Sequence, residues 1–297
     1  MITPSFLKKG DKIGIISTAR KISYLELKPA LKIIESWGLN IVFGNFLFET
    51  NNQFAGTVNQ RVMDIQQMID NNEIKAILCA RGGYGTIQII DHINFDNFKN
   101  KPKWIIGFSD VTILHSQMQK LSIESLHSSM PINFSTNTLE SINSIKDILF
   151  GKRNIIKCIS NKKNRIGSAE GCIVGGNLSI IYSLLGSKTD LDTSNKILFL
   201  EDIDEYLYHT ERMIISLKRA KKFESIKGLI IGGMTEMNDN DISFGKGVEN
   251  IITDCLKEYN FPICFDFPSG HLKDNKPIIL GRNSLLDIGQ NYVNLKQ

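Results

Sequence analysis

Cysteine is scarce and unpatterned: five in 297 residues, at 79, 158, 172, 255 and 264, with no Cys-x-x-Cys pair. An odd, scattered set of this kind suits reduced thiols and argues against a disulfide framework or a zinc ribbon. Histidine is as sparse, with five residues at 92, 115, 127, 209 and 271, and no His-Glu-x-x-His spacing occurs. No metal and no organic cofactor is therefore expected. Neither sign of charge dominates, since 35 Lys and Arg stand against 31 Asp and Glu for a net +4. Lys218, Arg219, Lys221 and Lys222 suit a solvated helix end, and Asn161–Arg165 a basic loop. Nothing here supports nucleic-acid binding. Long apolar runs are missing as well. The longest uncharged stretch, Gly171–Ser187, contains Gly175, Gly176 and Asn177. It falls short of the ~20 apolar residues that a spanning helix needs. The early run Ile13–Ile16 is too short for a signal-peptide core. A cytoplasmic protein with no membrane partner is expected.

What is present is an ordinary globular composition, 42% hydrophobic, in a chain long enough for two domains or one large one. The first half alternates strand-like and helix-like segments. Strands are predicted at Lys12–Ser17, Leu39–Phe43, Ala76–Cys79 and Trp104–Gly107. Helices are predicted at Tyr24–Trp37 and Asn59–Ile69, from about Thr86, and from about Val111. This alternation predicts a parallel sheet covered on both faces, with a ligand site beyond the carboxyl ends of its strands. Residues 1–150 form this unit, the polar stretch 151–168 reads as a linker or an irregular crossover, and 169–297 form a second unit. The second unit has strand candidates at Cys172–Val174, Lys196–Leu200, Gly228–Ile231 and Ile263–Asp266. Its helix candidates are Leu178–Leu185, Thr210–Ala220 and Gly247–Leu256. In the tail, breaks at Gly281-Arg282-Asn283 and Gly289-Gln290-Asn291 suit hairpin turns at a sheet edge.

Ser109 stands on a predicted strand-to-helix turn, Ile105-Ile106-Gly107-Phe108-Ser109-Asp110. A serine there is pushed out of the sheet, and the helix N-terminus behind it offers free N–H groups to an oxyanion. The same serine could equally cap the helix. A nucleophile needs a base and an orienting acid. Among the histidines, His271 follows Ser269-Gly270 on a loop after a strand, a good place to hold an imidazole in a cleft. His92 reads as exposed, and His115 as facing away from the serine; His127 and His209 stay open, and each could be purely structural. The buried run Leu198-Phe199-Leu200 ends in Glu201-Asp202, a carboxylate pair at a strand's carboxyl end. The glycine loop Arg81-Gly82-Gly83-Tyr84-Gly85 could cradle phosphate or present backbone N–H groups to an oxyanion. No Gly-Lys-Ser/Thr follows it.

Together these residues resemble the LD-carboxypeptidase family of serine peptidases. The resemblance rests on Phe54-Ala55-Gly56-Thr57, Arg61, Asp64, the run Ile77–Gly85 and Gly107-Phe108-Ser109-Asp110. In the second half it rests on Glu170-Gly171, Gly175-Gly176-Asn177-Leu178, Leu200-Glu201-Asp202, Gly232-Gly233 and Gly270-His271. It implies a Rossmann-like N-terminal domain, a smaller β-rich C-terminal domain and a site in the cleft between them. It implies Ser109 as nucleophile, His271 as base and Glu201 as orienting acid. The N–H groups of Gly83 and Asp110 would form the oxyanion hole. Arg81, by its nearness in sequence, is a candidate for the substrate's carboxylate and equally for a structural ion pair. The implied substrate is a small peptide, murein tetrapeptide, which loses its terminal D-alanine. The implied assembly is a homodimer. His127-Ser128-Ser129 stands where many relatives carry His-Gly-Pro. Two other readings stay open: a microcin-immunity peptidase acting on a peptidyl-nucleotide, and a non-catalytic small-molecule-binding protein.

Overall fold

The computed structural model describes residues 1–297. The first half builds β1 (Lys12–Ile16), α1 (Tyr24–Ser36), β2 (Asn40–Phe43), α2 (Val58–Asp70) and β3 (Ile74–Cys79). Then come β4 (Trp104–Gly107), α3 (Thr112–Lys120), β5 (Ser125–His127) and α4 (Leu139–Leu149). Reciprocal side-chain caps start the first two helices, Ser23 with Glu26 and Thr57 with Gln60. Strands β1 to β5 are parallel, in the order β5-β4-β3-β1-β2. Alternation along the strands feeds both faces. Ala76, Leu78, Trp104 and Ile106 pack with α1 and α4, while Ile77, Cys79 and Ile105 pack with α2 and α3. The order reverses beside β1, which opens a crevice at the carboxyl ends of β1, β3 and β4.

The helix expected from Thr86 is instead two short 3₁₀ turns, Thr86–Gln88 and Ile90–His92. Tertiary bonds claim this segment. Arg61 binds the Gly85 carbonyl and Gln88, and the Gln66 side chain accepts from the Asn94 N–H.

The second half comprises β6 (Ile155–Ile159), β7 (Gly167–Asn177), α5 (Leu178–Ser183), β8 (Ile197–Ile203) and α6 (Leu207–Arg219). It continues with β9 (Gly228–Thr235), α7 (Val248–Cys255), β10 (Ile263–Cys264), β11 (Ile278–Leu280), β12 (Asn283–Ile288) and β13 (Tyr292–Lys296). Its sheet has the order β10-β9-β8-β7-β12-β13-β6, parallel from β10 to β7 and antiparallel beyond. Helices α5, α6 and α7 cover one face through Leu178, Met213, Leu217 and Ile252. No helix is long and apolar enough to cross a membrane.

Two expectations are corrected. Residues 151–168 are not a linker, because β6 lies within them and pairs with β13, and Arg165 bridges to Ile263. Their polar composition comes from the segments flanking β6, while the strand itself alternates at the sheet edge: Ile156 is buried and Ile155, Lys157 and Ile159 are exposed. The break at Gly281-Arg282 is not a hairpin. There the chain passes from β11, antiparallel on β5 of the first sheet, to β12 in the second. The break at 289–291 is the hairpin between β12 and β13, although β6 forms the sheet edge outside it.

Candidate active site

The buried strand β4 runs into Gly107, Phe108 and Ser109. Gly107 has φ 155°, and a Cβ there would sit 2.9 Å from the Val111 side chain. Ser109 itself is held at φ 62°, which non-glycine residues seldom adopt. A short 3₁₀ turn, Ser109–Val111, leads directly into α3. The serine thus sits on a strained elbow above the sheet, with a helix N-terminus behind it. His115 braces this turn from below. Its Nε2–H donates to the Gly107 carbonyl (2.9 Å), and Nδ1 accepts from Ser125 Oγ (2.8 Å). Burial pushes its pKa down to about 3, so the ring is neutral. It does not line the cleft, as its helical position implied. His92 is exposed, also as read.

The glycine loop after β3 packs against the elbow. A Cβ on Gly82 would lie 3.3 Å from the Ser109 Cβ. Gly83 has φ 111°, and the stem of Arg20 lies where its Cβ would be. Its N–H donates to no backbone carbonyl. The Asp110 carboxylate ties loop to turn by accepting from the Thr86 N–H at 2.8 Å. Burial raises the pKa of Asp110 against the opposing pull of Thr86 and Arg61. Buried Arg61 clamps the outer side of the loop through the carbonyls of Thr18 and Gly85.

Across the cleft, β8 delivers two adjacent buried carboxylates to opposite sides, as strand alternation requires. Glu201 Oε2 accepts from His271 Nδ1 at 2.6 Å. Its backbone faces two residues of β9, Gly232 and Gly233, a local bulge. Asp202 turns the other way, accepting from Asn177 Nδ2 (2.8 Å) and from the N–H groups of Ser179 (2.8 Å) and Ile203 (2.9 Å). It thereby caps α5. The His271 loop is pinned by Asn275, which accepts from the Gly270 N–H (2.8 Å) and donates to Ser129 Oγ (3.2 Å). Burial would raise Glu201, but His271 and His127 around it outweigh that and hold it down to about 2. Burial opposes a charged His271, yet Glu201, with Asp202 and Glu236, raises its pKa above the usual imidazole value. Burial and the Glu201 charge push Asp202 up to about 7.

Ser109 and His271 line one cleft of about 620 Å³, together with Arg20, Arg81, Gly83, Asp202, Asp204 and Glu236. The His271 ring packs 4.6 Å from Phe108, next to the serine. One wall carries arginines and the other carboxylates. No group of three or more His, Cys, Asp or Glu side chains is arranged to hold a metal ion.

Residues 13–128 match the LD-carboxypeptidase N-terminal domain, and residues 170–286 match the LD-carboxypeptidase C-terminal domain. The chain belongs to the LD-carboxypeptidase family. A probable murein peptide carboxypeptidase of Bacillus subtilis (strain 168) is 30% identical, aligned over 97% of this chain and 92% of its own. The fold is that of the muramoyltetrapeptide carboxypeptidase from Oxalobacter formigenes, with TM-score 0.88 and 23% identity over 96% of this chain and 98% of that one. It is equally similar to the microcin C7 self-immunity protein MccF, with TM-score 0.89 and 20% identity over 100% and 99% of the two chains.

Within this family frame, Ser109, His271, Gly83 and Arg81 converge on one cleft, with Glu201 behind His271. Arg81 is less free than its position suggested, since it contacts the Lys21 carbonyl (3.3 Å) and Glu26 (3.7 Å). Sequence reading missed Arg20, a cleft guanidinium without a carboxylate partner. Its place just after β1, at the sheet's reversal, was the available signal. It also missed Asn177 as the partner of Asp202, and Asn275.

Proposed function

We propose that this chain is a serine LD-carboxypeptidase that removes the terminal D-alanine from murein tetrapeptide. The observation that carries the reading is the strained Ser109 elbow sharing a cleft with the His271–Glu201 pair. Ser109 Oγ passes its proton to His271 Nε2 and attacks the carbonyl carbon between the L-centre and the D-residue. The oxyanion takes the N–H groups of Gly83 and Asp110. Glu201 fixes the imidazole tautomer and stabilises the imidazolium. His271 then protonates the departing amine, and water repeats the sequence on the acyl-enzyme. Arginines on one wall and carboxylates on the other suit a peptide end that bears both a carboxylate and an ammonium. The reading carries with it a homodimer acting on wall peptides in the cytoplasm, on the strength of the family resemblance.

The peptidyl-nucleotide alternative calls for an aromatic to stack a nucleobase. Neither tryptophan can serve, since Trp37 and Trp104 are buried in the core of the first sheet; the exposed aromatic lining the cleft is Tyr84 of the glycine loop, in the first half of the chain. Incubation with tetrapeptide and pentapeptide, followed by mass spectrometry, tests the reading. Loss of one D-alanine from the tetrapeptide is expected, unaffected by EDTA and abolished in Ser109→Ala. Turnover by Ser109→Ala at the wild-type rate would sink the reading.

A further inference from the structure

Glu201 has two carboxylate oxygens, and His271 engages only Oε2. Oε1 is buried without a hydrogen-bond partner. A second atom in the same state faces it: His127 Nε2, also buried and unpartnered, 3.9 Å away. Both side chains are 0% exposed. Buried polar atoms are rarely left without partners, and a buried carboxylate least of all.

We infer that His127 is a positioning residue, its Nε2–H directed at Oε1 so that Glu201 is held between two imidazoles. The inference rests on the Ser109–His271–Glu201 reading above. Ser269 Oγ lies 3.5 Å from His127 Nδ1 and can serve there as donor or acceptor, so the Nε2-protonated ring, the form that gives Oε1 a donor, also satisfies Nδ1. The ring has little freedom to turn. Phe199 packs against it at 4.9 Å and Phe108 at 5.9 Å, both edge-on. Its backbone is paired with Gly107 on β4 and Ile278 on β11.

The titratable groups facing His127 are Glu201 and His115, and His115 is neutral with its Nε2–H already given to Gly107. Those acting on His271 are Glu201, Asp202 and Glu236. At 3.9 Å the contact is longer than a hydrogen bond. Catalytic contacts of this kind tighten when the reacting complex forms. With Oε1 held by His127, the carboxylate cannot rotate Oε2 away from His271 as the imidazolium develops. The N–H also draws negative charge from the side of the acid that His271 does not use.

Nitrogen-15 NMR of histidine in the wild-type protein tests the tautomer directly. His127 should carry a proton on Nε2; a ring protonated on Nδ1 alone overturns the inference. Two variants test the role. His127→Phe keeps the ring and removes the donor. It should lower kcat on tetrapeptide on the order of 10–100-fold with KM unchanged, and move the acid limb of the rate profile to higher pH. His127→Gln, which restores an N–H donor, should recover most of the rate. A folded His127→Phe with wild-type kcat and acid limb overturns the inference. If Ser109→Ala is inactive in the same assays, that outcome leaves the nucleophile assignment standing. If Ser109→Ala turns over normally, the reading beneath both has failed. Should His127→Phe not fold, His127→Gln and the wild-type NMR decide: a Gln variant as impaired as loss of the donor requires, despite its N–H, counts against the inference.

Discussion

Gly270 and Glu201 leave no room between them: a Cβ on the glycine would stand 2.8 Å from both the Cβ and Oε2 of Glu201. The residue before the proposed base is therefore packed against the acid that orients it. Gly270 also has φ 116°, which an L side chain resists. Gly270→Ala should push the carboxylate off His271. The expected result is a fall in kcat of more than tenfold and slower fluorophosphonate labelling of Ser109, with a strain cost of about 1–3 kcal/mol seen in melting. A variant with wild-type labelling would mean that the acid does not need this contact.

The adjacent carboxylates of β8 should separate cleanly by mutation. Glu201→Gln keeps the size and removes the charge facing His271, so turnover should fall on the order of 10²–10⁴. Asp202→Asn places an amide donor among three donors, those of Asn177, Ser179 and Ile203. It should cost about 1–3 kcal/mol of stability and much less in rate. Steady-state rates and melting points of both variants decide this. The helix capped by Asp202 is α5, which precedes β8 rather than following it.

The pH dependence has a definite sign. As the proposed base, His271 must be neutral to accept a proton, and its pKa is raised, so the acid limb of kcat/KM should have its midpoint above 6.5. A midpoint below 6.5 would contradict the Glu201–His271 coupling. Stability should move the other way. Asp202 is raised to about 7 from 3.8, so the folded protein holds a proton between those values that the unfolded chain releases. The stability this contributes is fully present below pH 3.8 and is lost as pH rises through about 7. A raised His271 acts in the same direction, its contribution fading above 6.5. Melting temperatures across pH 5–8 should fall less steeply in Asp202→Asn than in the wild type.

A fragment of residues 1–150 should be inactive. It lacks Glu201 and His271, and it also lacks β11, which covers β5. The uncovered strand leaves a hydrogen-bonding edge open, so the fragment should associate in light scattering and take no fluorophosphonate. A monomeric, labelled fragment would place the base among His92, His115 and His127.

Much of the first sheet was legible because its strands are short apolar runs that stop at a serine or glycine, as β1 does before Ser17 and β4 at Gly107. Buried strands carry that signal locally. The cleft residues were legible for the same reason, since strand ends are where such sheets bind ligands. Partnerships distant in sequence were not. Ile155–Ile159 was read as part of a linker because this short apolar run is flanked by polar residues on both sides, and only its pairing with Tyr292–Lys296 reveals it as a strand. Ile278–Leu280 looked like half of a hairpin because nothing local says that its partner is β5. His127 gave no sign of facing Glu201, since 3.9 Å in space has no counterpart in spacing along the chain.

The passage from β11 to β12 has a consequence for the order of synthesis. Only Gly281 and Arg282 separate a strand of the first sheet from a strand of the second, and Arg282 reaches back to Glu124 through Nε (3.1 Å) and Nη2 (2.5 Å). The segment that completes the first sheet is thus synthesised only after strands β6 to β10 of the second. Residues 1–150 can collapse as they emerge, yet they keep an unpaired edge until residues 278–280 have been made. The proposed nucleophile is therefore made early and armed late. A nascent chain cannot acquire hydrolytic competence before both sheets are joined, and a ribosome stalled before residue 278 would leave an inert, sticky product.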